Sequence, residues 1–402
     1  MTPARILLVL PQMPQDPASG AARSVRTICE MLADAGFMVQ ALATTATERG
    51  GSTGPLEFLR ASGLEVTVIP GHTKARARPE LRFRHRGIGY HLLHVGSRPV
   101  LGWEAVCGRQ FDRLFDETLR AFRPDILFTY GGTPADLHRH KRARRQGVRV
   151  VFALRNEGYL VPGLLDGMDG VLTPSQYLTD VYRDAVGLES TPLPLPMELA
   201  DVIAPERDPI FFTMINPSRE KGLMVMARLA EDLSRRRPDI PLLIIESRGS
   251  AGRLVEAGLA GGFDLRRHEN LMMSAPVPFP RDIYVPTRAL LAPSLWNEPA
   301  GRVAVEAILN GIPPLVSGRG GLVEVCNGAG FVLPIPPEVT PATDRPVAPE
   351  VVEPWIDLIV KLEGDAAFYS EECARARQAA AIYLPERLAP RYARYFNGVA
   401  AR

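Results

Sequence analysis

The chain has 402 residues, of which 46% are apolar and 23% charged. That is ordinary globular composition, and because a single core stops growing near roughly 250–300 residues, it supplies two cores and excludes a mainly disordered chain. A formal net charge of +2 argues against a dedicated nucleic-acid binder, whose domains are usually strongly basic.

The first apolar run is Ile6–Leu10, bounded by Pro11. It is shorter than the about 7–15 residues of a signal-peptide core and reads as a strand buried on both faces. No stretch approaches the ~18 apolar residues of a spanning helix. The expected location is the cytoplasm, with at most peripheral contact at the inner membrane face. A loop carrying Pro14, Asp16, Pro17, Ser19 and Gly20 follows. Ala21–Ala35 has helical spacing, with Val25, Ile28, Met31 and Leu32 on one face, and Gly36 ends it. Val39–Ala43 is a second strand, so the chain opens as a parallel α/β sheet. Leu64–Ile69 reads as a strand and Phe111–Phe122 as a helix. Asp125–Thr129 is a strand leading into Tyr130-Gly131-Gly132. Ala135–Gln146 is a basic helix, Val148–Leu154 and Gly170–Thr173 are strands, and Ser175–Val186 is a helix capped by Ser175.

A Pro-rich bridge, Pro192, Pro194, Pro196 and Pro205, reads as a linker. The pattern then restarts with strands at Ile210–Ile215 and Leu242–Glu246, a helix at Gly222–Arg237 between them, and a short strand at Leu290–Pro293. Gly301–Asn310 reads as a helix and Pro314–Ser317 as a strand. From Glu353 the sequence is helical apart from Pro385 and Pro390. The expected domains are 1–200 and 201–380, with a C-terminal helix at 380–402 returning to the first. A ligand is expected in a cleft between two such halves, at the C-terminal ends of parallel strands.

Cys29, Cys107, Cys326 and Cys373 form no C-x-x-C pair and no zinc spacing with histidine, so they read as free, buried thiols of a reducing compartment. Two basic stretches stand out. Residues 74–86 carry Lys74, Arg76, Arg78, Arg82, Arg84 and Arg86 against Glu80. Residues 138–149 carry Arg139, Lys141, Arg142, Arg144, Arg145 and Arg149 and no acid. A solvated face, a field that steers an acidic acceptor, and contact of 74–93 with anionic lipid through Tyr90, Leu92 and Leu93 are the competing readings. No stacking aromatics interleave the charges, so nucleic acid is not expected.

The chemistry concentrates in 294–307, Ser-Leu-Trp-Asn-Glu-Pro-Ala-Gly-Arg-Val-Ala-Val-Glu-Ala. Pro299 and Gly301 stand where a loop becomes a helix, whose first N–H groups have no internal partner and attract an anion. Glu298 lies before the helix and Glu306 within it. Carboxylates suit hydroxyl groups rather than phosphate, so the arrangement fits a ligand with phosphate between two polyols.

Asn297–Ala307, with Gly311–Val316 and Gly320–Val325 after it, resembles the E-x7-E segment of family 4 glycosyltransferases of GT-B fold. The resemblance implies two Rossmann-like domains facing each other across a cleft. It implies a glycosyltransferase of hexosyltransferase type that works with retention, without metal and without a cofactor beyond its nucleotide-sugar donor. It gives Glu298 the donor-sugar hydroxyls and Glu306 the ribose, and it gives Gly301, Arg302 and Val303 the donor phosphate and sugar through backbone amides. The loop Ile215–Gly222 resembles the family's phosphate loop ending in Lys-Gly. Lys221 matches, whereas the usual Arg position holds Asn216, and Arg219 is the candidate substitute. Pro276, within Met273–Pro278, marks the base-binding region. In the first half Gly20, at a Gly-rich loop facing donor and acceptor, is a donor-binding candidate, and Arg23, Tyr130 and Arg155 are the acceptor-side candidates. The family often has a histidine where Arg155-Asn156-Glu157 stands. The expected partners are a nucleotide sugar and a small-molecule, glycan or lipid-linked acceptor. The Asn216 and Arg155 departures keep open a nucleotide-sugar hydrolase, epimerase or sugar-heteroatom synthase of the same fold.

Overall fold

The computed structural model describes residues 3–48, 54–71, 77–96, 99–100, 102–277 and 279–402. Lys74, Arg76 and Pro278 lie outside the described residues. Two compact units emerge: Met1–Pro174, Thr179–Pro196 and Pro385–Arg402 form the first, and Ser175–Leu178 with Met197–Leu384 the second.

The first unit begins with β1 (Arg5–Leu10), α1 (Gly20–Asp34), β2 (Met38–Thr44), α2 (Pro55–Ala61) and β3 (Thr67–Ile69). It continues with β4 (Glu80–His85), β5 (Ile88–Leu93), α3 (Trp103–Phe122), β6 (Ile126–Thr129), α4 (Pro134–Arg145), β7 (Arg149–Ala153) and β8 (Gly170–Thr173). The helix α5 (Gln176–Val186) precedes β9 (Thr191–Pro192). The strand order is β3-β4-β5-β2-β1-β6-β7-β8-β9. The β1 sequence is apolar throughout because both its faces are covered. Ile6, Leu8 and Leu10 enter one core with α1, while Leu7 and Val9 enter another with α3. Ser19 caps α1, its hydroxyl accepting from the Ala22 N–H.

Residues 80–93 form an antiparallel hairpin rather than a basic strip. Alternation along β4 buries Leu81 and Phe83 and exposes Arg82 and Arg84, and Phe83 stacks on Tyr90 at 4.7 Å. Tyr90, Leu92 and Leu93 are buried and are not available to touch lipid, while Arg82 and Arg84 stay exposed. The basic helix α4 also finds acids, on α3 and in its own first turn. Buried Arg139 donates to Asp112 at 2.8 Å, Glu104 at 2.5 Å and Asp136 at 3.1 Å, and Arg142 pairs with Asp112 and Asp116.

The second unit contains α6 (Leu199–Val202), β10 (Phe211–Ile215), α7 (Leu223–Arg236), β11 (Leu242–Ile245), α8 (Ala251–Ala260), β12 (Leu271–Ser274) and α9 (Pro280–Tyr284). After these come β13 (Thr287–Ala292), α10 (Arg302–Leu309), β14 (Pro314–Ser317), α11 (Leu322–Val325), β15 (Phe331–Leu333), α12 (Pro349–Gly364) and α13 (Ala366–Ala379). Its sheet is wholly parallel, in the order β12-β11-β10-β13-β14-β15. That is the doubly wound order that reverses between the first and fourth strands, β10 and β13, where such folds bind ligands. The last helix, α14 (Pro385–Ala400), belongs to the first unit. Its Leu388, Tyr392, Phe396 and Val399 enter the core beneath α1. Pro385 starts that helix and Pro390 lies within it. All four cysteines are buried and unbridged.

Candidate active site

In the second unit the loops leaving β10 and β13 are built against each other. Gly222 begins α7 with φ +88°, and a Cβ there would meet the Pro293 carbonyl oxygen at 2.0 Å. Only glycine admits both that conformation and that approach. The Glu220 carbonyl accepts from the N–H groups of Leu295 at 2.9 Å and Trp296 at 3.0 Å. These contacts set Lys221 and Glu298 side by side. The Lys221 ammonium pairs with Glu298 Oε1, which also accepts the Ser294 hydroxyl at 2.6 Å. The Glu298 backbone is fixed in turn by Gly321, whose N–H donates to its carbonyl at 2.6 Å.

Glu298 is 7% exposed, so a bare carboxylate here is costly and the ammonium offsets it. Both partners use Oε1. The Oε2 oxygen and the remaining N–H groups of Lys221 are available to a ligand. One point of the site thus offers a hydroxyl acceptor beside a phosphate donor.

Gly301 caps α10 with φ +69°, and a Cβ there would meet the Leu322 side chain at 2.3 Å. The glycine is therefore demanded by the chain's own packing, before any ligand is considered. Arg302 and Val303 open the helix. Glu306, one turn on, is buried, accepting from Arg302 Nε at 3.2 Å and from the Tyr284 hydroxyl at 2.9 Å. Tyr284 and Ser294 are site residues that sequence reasoning did not assign. Ser294 opens the quoted segment, but Tyr284 sits 22 residues before Glu306 with no local signal to join them.

Asn216 has φ +65°, a left-handed conformation that asparagine tolerates better than most side chains. Its Oδ1 accepts the Gly249 N–H at 2.7 Å. The side chain at the family's arginine position thus secures the loop after β11. Arg219 is exposed and donates to the Thr343 carbonyl at 3.3 Å. Pro276 is exposed beyond the end of β12.

The first-unit candidates flank a similar reversal, between β1 and β6. Gly20 is the exposed first residue of α1, and Arg23 lies in its first turn. Tyr130 follows β6. Its hydroxyl is buried and has no hydrogen-bond partner among the described residues, and burial pushes its ionisation well above the usual phenol range. Gln15, 8% exposed in the loop after β1, likewise has both amide atoms without partners among the described residues. Arg155 turns inward, donating from Nε to Ser24 at 3.1 Å and from Nη1 to the Leu154 carbonyl at 3.3 Å. Burial lowers its guanidinium to about 10.

Among the described residues, no group of three or more His, Cys, Asp and Glu side chains converges as a metal site. Among the described residues, no helix is long and apolar enough to cross a membrane.

Residues 198–336 match the family described as Glycosyl transferases group 1. No curated protein is similar enough to be matched. Among solved structures, the chain is similar to a sucrose-phosphate synthase from Thermosynechococcus elongatus, at 16% identity and TM-score 0.68 over 99% of both chains. It is also similar to Anabaena Alr3699/HepE in complex with UDP-glucose, at 13% identity and TM-score 0.66 over 98% of this chain and 99% of that one. The pneumococcal O-GlcNAc transferase GtfA in complex with UDP and GlcNAc gives 10% identity and TM-score 0.67 over 98% and 99%. At these identities the structural likeness establishes the fold, which is GT-B. The matched stretch, a glycosyl transferases group 1 domain, contains Asn216, Lys221, Glu298, Gly301 and Glu306.

Proposed function

We propose that the chain, a glycosyltransferase by the domain it carries, moves a sugar from a nucleoside-diphosphate donor to a small-molecule, glycan or lipid-linked acceptor, with retention and without metal. The observation that carries this reading is the Lys221–Glu298 pair at the β10/β13 reversal, inside the matched domain. The bound UDP-glucose of the Anabaena neighbour makes a uridine donor the first to try.

In this reading Glu298 takes donor-sugar hydroxyls and Glu306 the ribose. The bond from the anomeric carbon to the diphosphate oxygen breaks, and the bond to the acceptor oxygen forms on the same face. The acceptor's proton passes to the departing phosphate, so no side-chain base is required. Negative charge grows on that phosphate. Lys221 and the N–H groups at the start of α10 oppose it, and such fixed donors are typically the largest catalytic term. Arg219 is the proposed second cation. It is already exposed, so leaving the Thr343 carbonyl costs little. Pro276 offers the base only its carbonyl. Gly20 is a donor-binding proposal, and Arg23, Tyr130 and Arg155 are the acceptor-side proposals, with Arg155 acting through Ser24 and the α1 turn.

Calorimetry with UDP, GDP and ADP, with and without a chelator, tests donor binding. Binding of one nucleotide that is indifferent to chelator is expected, and strict dependence on a divalent ion would refute the metal-free step. Turnover of a nucleotide-sugar panel tests the reaction. Donor breakdown that never joins sugar to any acceptor would favour a hydrolase or epimerase of the same fold.

A further inference from the structure

We propose that the first unit carries a second anion site, a phosphate-binding hollow at the end of its sheet opposite the ligand-binding edge. It lies where α4 ends and β7 and β8 begin. Ligands of doubly wound sheets gather at the carboxyl ends of strands, so this position is separate from the proposed reaction.

The helix α4 has two basic faces with different fates. Arg139 and Arg142 are matched by acids of α3 and by Asp136. Lys141, Arg144 and Arg145 instead line a hollow of about 440 Å³ together with Arg149. Among the described residues, the one acid lining it is Asp169. Its carboxylate accepts from Arg149 Nη1 at 3.3 Å and the Val150 N–H at 2.8 Å, and lies 3.3 Å from Arg144 Nε. Four cations against one carboxylate leave three positive charges in excess.

The end of the helix does not use these charges. Its last carbonyls are closed by the backbone, with Gly147 N–H donating to Arg144 at 3.0 Å and Val148 N–H to Ala143 at 3.2 Å. Lys141 and Arg145, one turn apart, repel each other. A concave wall of this composition suits a group with two negative charges and several acceptor oxygens. Arginine forks and a lysine point charge match a phosphate monoester. That phosphate belongs to a soluble phosphorylated compound or to a lipid headgroup.

The test uses the full chain in a Lys221→Ala background, so that phosphate at the donor site does not contribute. Inorganic phosphate is titrated by calorimetry, and phosphatidylcholine vesicles with and without phosphatidic acid are co-sedimented. At least one probe is expected to bind, and Lys141→Ser with Arg145→Ser should weaken it at least tenfold while the thermal melt is unchanged. Binding of phosphate alone identifies a soluble source, and binding of phosphatidic acid vesicles alone identifies a lipid source. If the paired substitution disturbs the melt, Arg145→Gln alone gives the same readout. Failure of both probes to bind, or binding that survives the substitutions, overturns the site.

Discussion

The two sheets, one mixed and one wholly parallel, reverse strand order in the same way, at β1/β6 in one unit and β10/β13 in the other, yet the two reversal points are filled differently. At β10/β13 both carboxylates are partnered: Glu298 by Lys221 and Ser294, and Glu306 by Tyr284 and Arg302. At β1/β6 the hydroxyl of Tyr130 and the amide of Gln15 are buried without partners among the described residues. A paired charge costs less to keep buried than a lone one and offers strong hydrogen bonds once a ligand exchanges with its partner. An unpartnered buried hydroxyl costs stability until a ligand reaches it. The first arrangement suits a charged donor and the second a ligand rich in hydroxyls or amides.

The comparison breaks most sharply at Lys221. Lys221→Met should lower kcat at least about 100-fold, or roughly 2.7 kcal/mol of barrier, in steady-state release of nucleoside diphosphate. Glu298→Gln should also be slow, and the double variant should recover thermal stability relative to Lys221→Met, because neither charge is then stranded. Recovery of turnover in the double variant would mean that Lys221 serves only to neutralise Glu298.

Glu306→Gln is next. The amide can still accept from Arg302 and donate to the Tyr284 oxygen, so the melting temperature should move little. Nucleoside diphosphate affinity should fall by about 1.5–3 kcal/mol, the range for a hydrogen bond to a charged group. Calorimetry that returns wild-type affinity removes the ribose assignment.

Asn216 asks whether the missing arginine matters. Asn216→Arg places a long side chain at positive φ and loses the bond to Gly249, which should cost about 2 kcal/mol in urea unfolding. Asn216→Gly keeps the conformation and should cost less. An arginine variant that is both stable and faster than wild type would show that the site lacks a cation.

The smallest effect is expected at the other reversal point. Tyr130→Phe removes a buried hydroxyl that has no partner among the described residues, so unfolding free energy should rise by up to about 1 kcal/mol. KM for the acceptor should rise about tenfold, the 1.4 kcal/mol of one hydrogen bond. A stability loss with KM unchanged would place Tyr130 among the packing residues.

Much of this was legible in the sequence because it is local. Five apolar residues at Ile6–Leu10 are a strand covered on both faces, and α1 follows from the spacing of Val25, Ile28, Met31 and Leu32 with Ser19 before it. Glu298, Gly301, Glu306 and Lys221-Gly222 stood out because turn chemistry and helix starts are written in adjacent residues. The hairpin Glu80–Leu93 was hidden because its arginines alternate with the buried residues and dominate the composition. The early turns of α3, from Trp103, were missed in the same region.

Pairing at a distance was not legible, because hydrogen bonds and ion pairs depend on which strand ends the sheet brings together. The sequence by itself determined the segments, the glycine-led helix at Gly301 and the identity of the charged groups. Tertiary structure alone decided that Lys221 meets Glu298 across 77 positions, that Asn216 holds Gly249, and that Arg155 turns inward to Ser24. It also decided that one basic face of α4 is neutralised by α3 while the other opens on a hollow. A charge acquires its role only when the fold settles what lies within a few ångströms of it, since Coulomb and hydrogen-bond energies fall off over that range.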